Sequence, residues 1–564
     1  VRSPGIVVSI ALVILVGMPA AAAEQTGPQP TQHRPDVLGR EAAVVADHPL
    51  AAAAGHEVLR RGGNAVDAAI AMAGVLAVVR PHMNGVGGDA FGLFFDAKSG
   101  SVTALNGSGR AGQLATPEFF AGKGLKSVPA SGAATITVPG AVSAWAAALE
   151  KHGTMPLGEL LQPAIRLAEQ GWAVTSTLHR DIAASAPKLN EGGRAIFAPG
   201  GSLPPVGGVL KNLPLAATLK AIAAGGPDAF YKGPIGERVA RWVESHGGYL
   251  RPEDFRNHRA DWVTPLSLDL SGGRRVFAMP PNSQGITQLQ MLAMAEAFDL
   301  QKLGHNSAAY LHALIETKRL AFADRDRWLA DPTMATVPVD RLLDRAYLKT
   351  RAALVSSQAA SDVGPGIAAP LASEPASGTG DTVYLMAVDR HGNAVSWIQS
   401  LFASFGSGLV EPETGIVLQN RGSGFVLEAG HPNVIAPGKR PMHTLTPMLV
   451  TDAGGLRATM GTPGGHGQPQ FLTQVYQNVF TFGMTPQQAV EAPRYIHHRG
   501  RRVELEDRVP AAVVAALTER GHQMSTASGW TATFGGVQMI LIDPASGVRR
   551  TGADPRREAY AIAW

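Results

Sequence analysis

Thr382 stands where a loop poor in structure-forming residues meets an apolar run, in Gly378-Thr379-Gly380-Asp381-Thr382-Val383-Tyr384-Leu385-Met386-Ala387-Val388-Asp389. If the bond between Asp381 and Thr382 is cut, the threonine becomes a chain terminus. One residue then carries both a hydroxyl nucleophile and a free α-amine to act as its base. Such a chain makes its active site by cutting itself. A second arrangement, Gly461-Thr462-Pro463-Gly464-Gly465-His466-Gly467, follows an expected strand and precedes an expected helix over 468–480. Successive unhindered N–H groups at a helix start can hold a developing oxyanion. Taken alone, the same residues also read as a plain turn.

Other chemistries find no support. There is no Gly-x-Ser-x-Gly elbow, no phosphate-binding loop with its Gly-Lys-Ser/Thr ending, and no His-Glu-x-x-His. The 17 histidines are scattered, so no zinc site is expected, and a metallo-amidase would need a ligand cluster that the chain does not offer. Gly85-Val86-Gly87-Gly88-Asp89-Ala90 has the look of a dinucleotide fingerprint, but a strand follows it instead of a helix. It reads as a tight loop against packed backbone.

The elements that must position Thr382 are strands joined by short turns. Apolar runs end in Asp, pass through a turn containing Gly, and return at 96–100, 389–392, 452–455 and 543–547. These hairpins imply antiparallel sheets. Helices are expected at 49–61, 64–79, 141–152, 307–330 and 486–492, with Asn64 and Asp67 placed to cap the second. Antiparallel sheets with segregated helices make an α+β fold. The stretch 355–381 has no aromatic residue and no Lys or Arg. It reads either as an ordinary linker or as a tail that vacates the site once the bond before Thr382 is broken.

The chain has 564 residues, 45% hydrophobic and 17% charged, and a net charge of +4. That composition suits a loop-rich globular enzyme. No basic run with interleaved aromatics appears, so nucleic acid is not an expected partner. Residues 1–23 read as an export signal, with Arg2 as the charged start, 5–16 as the apolar core and Ala21-Ala22-Ala23 before the cleavage point. The apolar run falls short of the roughly 20 residues a membrane span needs. There is no cysteine, hence no disulfide framework. A periplasmic or secreted bacterial enzyme is the expectation.

Together these motifs resemble the γ-glutamyltranspeptidases, a family of N-terminal-nucleophile hydrolases. The matching stretches run in order: Arg61-Gly62-Gly63-Asn64-Ala65-Val66-Asp67-Ala68-Ala69, Gly85-Val86-Gly87-Gly88, Asp381-Thr382, Asp389-Arg390-His391-Gly392-Asn393-Ala394-Val395, Phe405-Gly406-Ser407-Gly408, Gly438-Lys439-Arg440-Pro441-Met442-His443-Thr444-Leu445-Thr446-Pro447, Pro463-Gly464-Gly465 and Asp554-Pro555-Arg556-Arg557. The resemblance implies a four-layer αββα sandwich of two antiparallel sheets. It implies one precursor cut before Thr382 into a large subunit, 24–381, and a small subunit, 382–564, that stay associated. Thr382 would be the nucleophile, Ser400 a second hydroxyl bonded to it, and Gly464 and Gly465 the oxyanion hole. The acyl group would pass to water or to an amino acid or peptide acceptor, with no cofactor.

The substrate pocket departs from the family pattern. The position of the family's carboxylate-binding arginine is Ser108, with Arg110 two residues on as a replacement or else a structural arginine. The position of the ammonium-binding Asp is Gly424, the paired serines become His443 and Thr444, an Asn becomes Phe402, and a Gln or Glu becomes Arg421. A short segment over 428–437 implies an open pocket. An α-ammonium entering such a site loses its carboxylate partner, at a cost of about 1–3 kcal/mol. These substitutions are similar to those of glutaryl-cephalosporin-acylase-like members. Two substrate classes therefore compete, γ-glutamyl amides such as glutathione and glutaryl amides. An inactive periplasmic binding protein built on the same fold is the alternative of another class.

Overall fold

The strand that carries Thr382, Asp381–Val388, is apolar along its length because both of its faces are covered. Val383, Leu385 and Ala387 pack into a layer of helices, whereas Tyr384, Met386 and Val388 point into the layer between two sheets. The computed structural model describes residues 1, 32–367 and 380–564. The export-signal reading and the centre of the 355–381 stretch lie outside the described residues.

The first sheet has seven strands, in the order Tyr560–Ala563, Ala43–Ala46, Asp381–Val388, Ala394–Phe402, Asp89–Asp96, Ser101–Gly107 and Asp261–Val263. Every neighbouring pair is antiparallel. The second sheet, also of seven, runs Val37–Gly39, Arg549–Ala553, Gln538–Ile542, Gly455–Gly461, Met448–Asp452, Arg274–Ala278 and Leu266–Leu270, again all antiparallel. Helices Pro49–Arg60, Ala65–Val79 and Ala141–His152 cover the outer face of the first sheet. Helices Gly285–Ala295, Gln468–Phe480 and Pro486–Glu491 cover the second. The four layers are helix, sheet, sheet, helix, the expected sandwich.

The expected hairpins form at all the named turns, and one device builds them. The Asp that ends each first strand turns its carboxylate back onto the turn's own N–H groups. Asp389 accepts from His391 N at 2.9 Å and Asn393 N at 3.1 Å, and Asp96 accepts from Lys98 N at 2.8 Å and Ser99 N at 3.0 Å. Helix Ala65–Val79 is buried throughout and opens with the expected capping box of Asn64 and Asp67. Asp67 is satisfied by Thr154 N at 2.9 Å and Met155 N at 3.1 Å, which explains an acid within an apolar helix. Among the described residues no helix is long and apolar enough to cross a membrane.

Candidate active site around Thr382

The pairing of Asp381–Val388 with Ala394–Phe402 breaks at Thr382. Asp381 faces Phe402 and Val383 faces Gln399, so the register shifts across the threonine. A bulge frees a residue from the ladder and re-aims its side chain. Thr382 is fully buried, and its Oγ1 donates to Ser400 Oγ at 3.2 Å. Ser400 Oγ in turn donates to the carbonyl oxygen of Asp381 at 2.8 Å. The same Ser400 oxygen accepts from Phe402 N at 2.7 Å and from Arg421 Nη2 at 3.2 Å. Crowded by donors, Ser400 spends its own proton on the Asp381 carbonyl. Phe402 holds φ of +78°, a left-handed conformation costly for a bulky residue and imposed beside this carbonyl.

Gly464 and Gly465 have φ of +126° and +53° and turn the chain from strand Gly455–Gly461 into helix Gln468–Phe480. The turn lies against the residue before Asp381, since a Cβ on Gly380 would sit 2.9 Å from Gly465 Cα and 3.4 Å from its nitrogen. Gln284 Nε2 holds the turn by donating to Gly465 O at 3.0 Å, and it also donates to Thr444 O at 2.7 Å. The Gly85–Gly88 loop behaves as expected of packed backbone. A Cβ on Gly87 would meet Val417 O at 2.2 Å, and one on Gly88 would meet Ser400 O at 2.4 Å.

Arg421 is buried beside Ser400. Its Nη1 donates to Thr444 Oγ1 at 3.2 Å, its Nε lies 3.7 Å from Asp89 Oδ2, and its guanidinium stacks 4.3 Å from the centre of the Phe402 ring. His443 Nε2 lies 3.2 Å from the same Asp89 oxygen, and Gly109 N donates to the other at 2.9 Å. Burial pushes Asp89 up to about 7, against the pull of Arg421 and of the Gly109 and Gly140 N–H groups. Burial brings Arg421 down to about 9, with Asp89 acting the other way. His443 is held well below the usual imidazole range by burial and then by Arg421 and Arg440, so it is neutral.

Thr382, Ser400, Arg421, His443 and Thr444 thus meet in one place. Arg110 does not join them: its guanidinium binds Asp261 at 2.7 Å and the Arg259 carbonyl at 3.2 Å. Ser108 is buried, and its carbonyl accepts from Arg440, whose guanidinium shares Asp261 at 2.8 Å. The short 428–437 segment, from which an open pocket is expected, lies next to Gly424 and Lys439. That segment is tied down by Asn433 Nδ2 to Gly424 O at 2.6 Å and by Lys439 Nζ to Pro432 O at 2.6 Å.

Two residues of the site escape sequence reasoning. Asp89, in the glycine loop, is the counter-ion of Arg421 and a partner of His443, across more than three hundred residues of sequence. Arg557 donates from Nη1 to Asp381 Oδ1 at 3.0 Å, whereas its neighbours Arg556 and Asp554 lie in a separate buried network with Arg494 and Glu506. The expectation of no metal-ligand cluster is corrected. His312, Glu316 and His522 bring their ligand atoms within 4.8 Å of one another on other elements. His312 Nδ1 already bonds His522 Nε2 at 2.8 Å, and Glu316 already pairs with Arg319 at 2.7 Å. Burial, then His312 and neighbouring arginines, hold His522 down at about 4, a positive field that also opposes a metal cation.

Two antiparallel sheets stacked between helical layers, with a threonine at the start of a central strand, are the architecture of the N-terminal-nucleophile hydrolases. The family model for gamma-glutamyltranspeptidase matches residues 51–564, and the chain belongs to that family. The glutathione hydrolase-like YwrD proenzyme of Bacillus subtilis (strain 168) is 38% identical over 93% of this chain and 99% of its own. The oxamate amidohydrolase proenzyme of Klebsiella pneumoniae subsp. pneumoniae is 35% identical over 92% of this chain and 98% of its own. The crystal structure of cephalosporin acylase from Bacillus halodurans superposes with a TM-score of 0.87 at 37% identity, covering 96% of this chain and 98% of that one. The protein is a hydrolase of the gamma-glutamyltranspeptidase type.

Proposed function

We propose that the chain cuts itself between Asp381 and Thr382, and that the new amino-terminal Thr382 then hydrolyses amides whose acyl group carries a carboxylate. The observation that carries this reading is the Thr382–Ser400–Asp381 chain of hydrogen bonds, 3.2 and 2.8 Å long, at a break in the strand register. Thr382 Oγ1 attacks the Asp381 carbonyl carbon, and Ser400 hydrogen-bonds the oxygen on which charge develops. The C–N bond breaks, its nitrogen takes up the proton lost by the hydroxyl, and an ester joins Asp381 to Thr382 Oγ1. Water cleaves the ester, leaving a carboxylate on Asp381 and a free α-amine on Thr382. That amine, which titrates near pH ~8, takes the hydroxyl proton when a substrate amide is attacked. With the tail gone, the Gly464–Gly465 turn receives the substrate's oxyanion. Water then releases the acyl group, or an acceptor amine takes it.

Among acyl groups, the site favours glutaryl over γ-glutamyl. A Cβ at Gly424 would lie 2.9 Å from Met442 O, so the position that would have to hold a carboxylate for an α-ammonium is filled by backbone. Arg421 adds positive charge there. Relatives named as a cephalosporin acylase and an oxamate amidohydrolase agree with a substrate that has a carboxylate without the amine.

The test has two parts. Thr382→Ala is expected to run as one band on a denaturing gel, while the natural chain gives two, the smaller beginning Thr-Val-Tyr. Cleaved material from the variant would defeat the assignment. The cleaved enzyme is expected to show a higher kcat/KM for glutaryl-p-nitroanilide than for its γ-glutamyl counterpart, by about tenfold for a mispaired ammonium costing ~1.4 kcal/mol. The reverse preference would overturn the reading of Gly424.

A further inference from the structure

The arginines near Thr382 differ in what they are paired with. Arg421 pairs with Asp89, and Arg440 and Arg110 pair with Asp261, on strands that any cut at Thr382 leaves in place. Arg557 pairs with Asp381, the residue that the cut would release. Among the described residues, Asp381 is the one carboxylate within ion-pair distance of Arg557. The guanidinium is otherwise held only by uncharged acceptors, Ala532 O at 3.1 Å from Nη2 and the Met83 sulfur at 4.0 Å from Nη1, and its Nε is buried without a hydrogen-bond partner. Its side chain is 6% exposed. The seat is built to fit, because a Cβ on Gly536 would come within 2.3 Å of Arg557 Cγ.

Asp381 is also the acyl donor of the first reaction. In the ester formed by self-cleavage, its carbonyl carbon is bonded to Thr382 Oγ1, the same bond that a substrate's acyl carbon makes later. Its side-chain carboxylate stands two carbons from that carbonyl, the spacing of a succinyl group and one carbon short of glutaryl. The uncleaved chain therefore shows where such a carboxylate goes, and it goes to Arg557. Lys188, whose ammonium binds the Ser404 and Gly406 carbonyls, lends the same corner further positive charge.

We propose that Arg557 is a carboxylate subsite for the acyl group, occupied by Asp381 until cleavage uncovers it. This rests on the self-cleavage proposed above and narrows the substrate class to amides of short ω-carboxy acids. Once the tail departs, the buried guanidinium lacks its ion-pair partner. Asp47, another carboxylate in its field, is already bonded to Tyr384 N at 2.8 Å and Gln538 Nε2 at 2.6 Å. A charge left in that state recruits an anion from solution.

The experiment measures calorimetric binding of N-acetyl-Gly-Asp and N-acetyl-Gly-Asn to the cleaved enzyme. These copy Gly380-Asp381 and differ only in the side-chain charge. The aspartyl peptide is expected to bind at least tenfold more tightly. The preference should vanish in cleaved Arg557→Gln, and in uncleaved Thr382→Ala, where Asp381 fills the seat. Equal binding of the two peptides to the cleaved enzyme overturns the proposal, as does a full preference in either variant. Should Arg557→Gln fail to cleave, the comparison of cleaved enzyme with Thr382→Ala decides alone. A natural chain that stays one band on the gel sinks the self-cleavage reading instead, before any peptide is added.

Discussion

Replacing Arg421 by Gln removes the cation that holds Ser400, Thr444 and Asp89 together, and the consequence depends on pH in a calculable way. The pair is sealed, with side-chain exposures of 1% and 0%. Removing one partner of such a pair costs about 3–5 kcal/mol, because a charge is left buried and alone. Asp89 has an escape, since it can take up a proton, and burial already places it at about 7. Between pH 6 and 8 an ordinary ionised carboxylate in the unfolded chain gains ~2.7 kcal/mol from deprotonation, and a folded group titrating at about 7 gains roughly half of that. Without Arg421 the folded group stays protonated and gains almost nothing. The Arg421→Gln penalty should therefore be larger at pH 8 than at pH 6 by up to ~1.4 kcal/mol. Adding Asp89→Asn should recover at least about 2 kcal/mol relative to the sum of the single losses. Urea unfolding on the Thr382→Ala background, which keeps the chain in one piece, measures both. A penalty independent of pH together with additive single losses would refute the pairing.

Ser400→Ala removes the donor 2.8 Å from the Asp381 carbonyl and should slow self-cleavage about 10²–10³-fold, with Ser400→Thr restoring it. Unchanged band conversion on a timed gel would rule out that role. Burial raises Asp47 to about 6 and Asp89 to about 7, so the folded chain keeps protons that the unfolded chain has lost. Stability should then be greatest below about pH 4 from these groups and decline as pH climbs toward 7, and Asp47→Asn or Asp89→Asn should each flatten the decline in urea midpoints. Asp554→Ala strands the buried Arg494, while Arg556 keeps Glu506, and should cost about 3–5 kcal/mol in the same measurement. A loss under 1 kcal/mol would show that water reaches that network.

What was legible in the sequence was local. The Asp-to-Gly turns and the Asn64 capping box are complete within a few residues, and each forms as read. The Thr382 strand was recognisable by its apolar run, but the bulge was not, because a strand buried on both faces has no alternation against which a slip would show. Asp89 was hidden for another reason. Its partners Arg421 and His443 come from a short 3-10 turn and a loop far along the chain, so nothing near it announces a counter-ion. The Asp554-Pro555-Arg556-Arg557 motif reads as one unit in sequence, yet Arg556 faces a structural network and Arg557 faces Asp381. His312 and Glu316, one helical turn apart, are two of the three members of their cluster, and His522 completes it from two hundred residues away.

Both sheets are woven from chain on either side of Thr382. In the first, Asp381–Val388 and Ala394–Phe402 lie between Ala43–Ala46 and Asp89–Asp96, and in the second, Met448–Asp452 borders Arg274–Ala278. Severing one peptide bond here divides the polymer without dividing the body. Neither piece could shed the other without stripping hydrogen-bonded neighbours from the middle of a sheet. Neither, made by itself, would have a finished sheet to fold into. The proposed order of events follows: if the chain is cut at Thr382, the whole of it folds first and the cut comes afterwards.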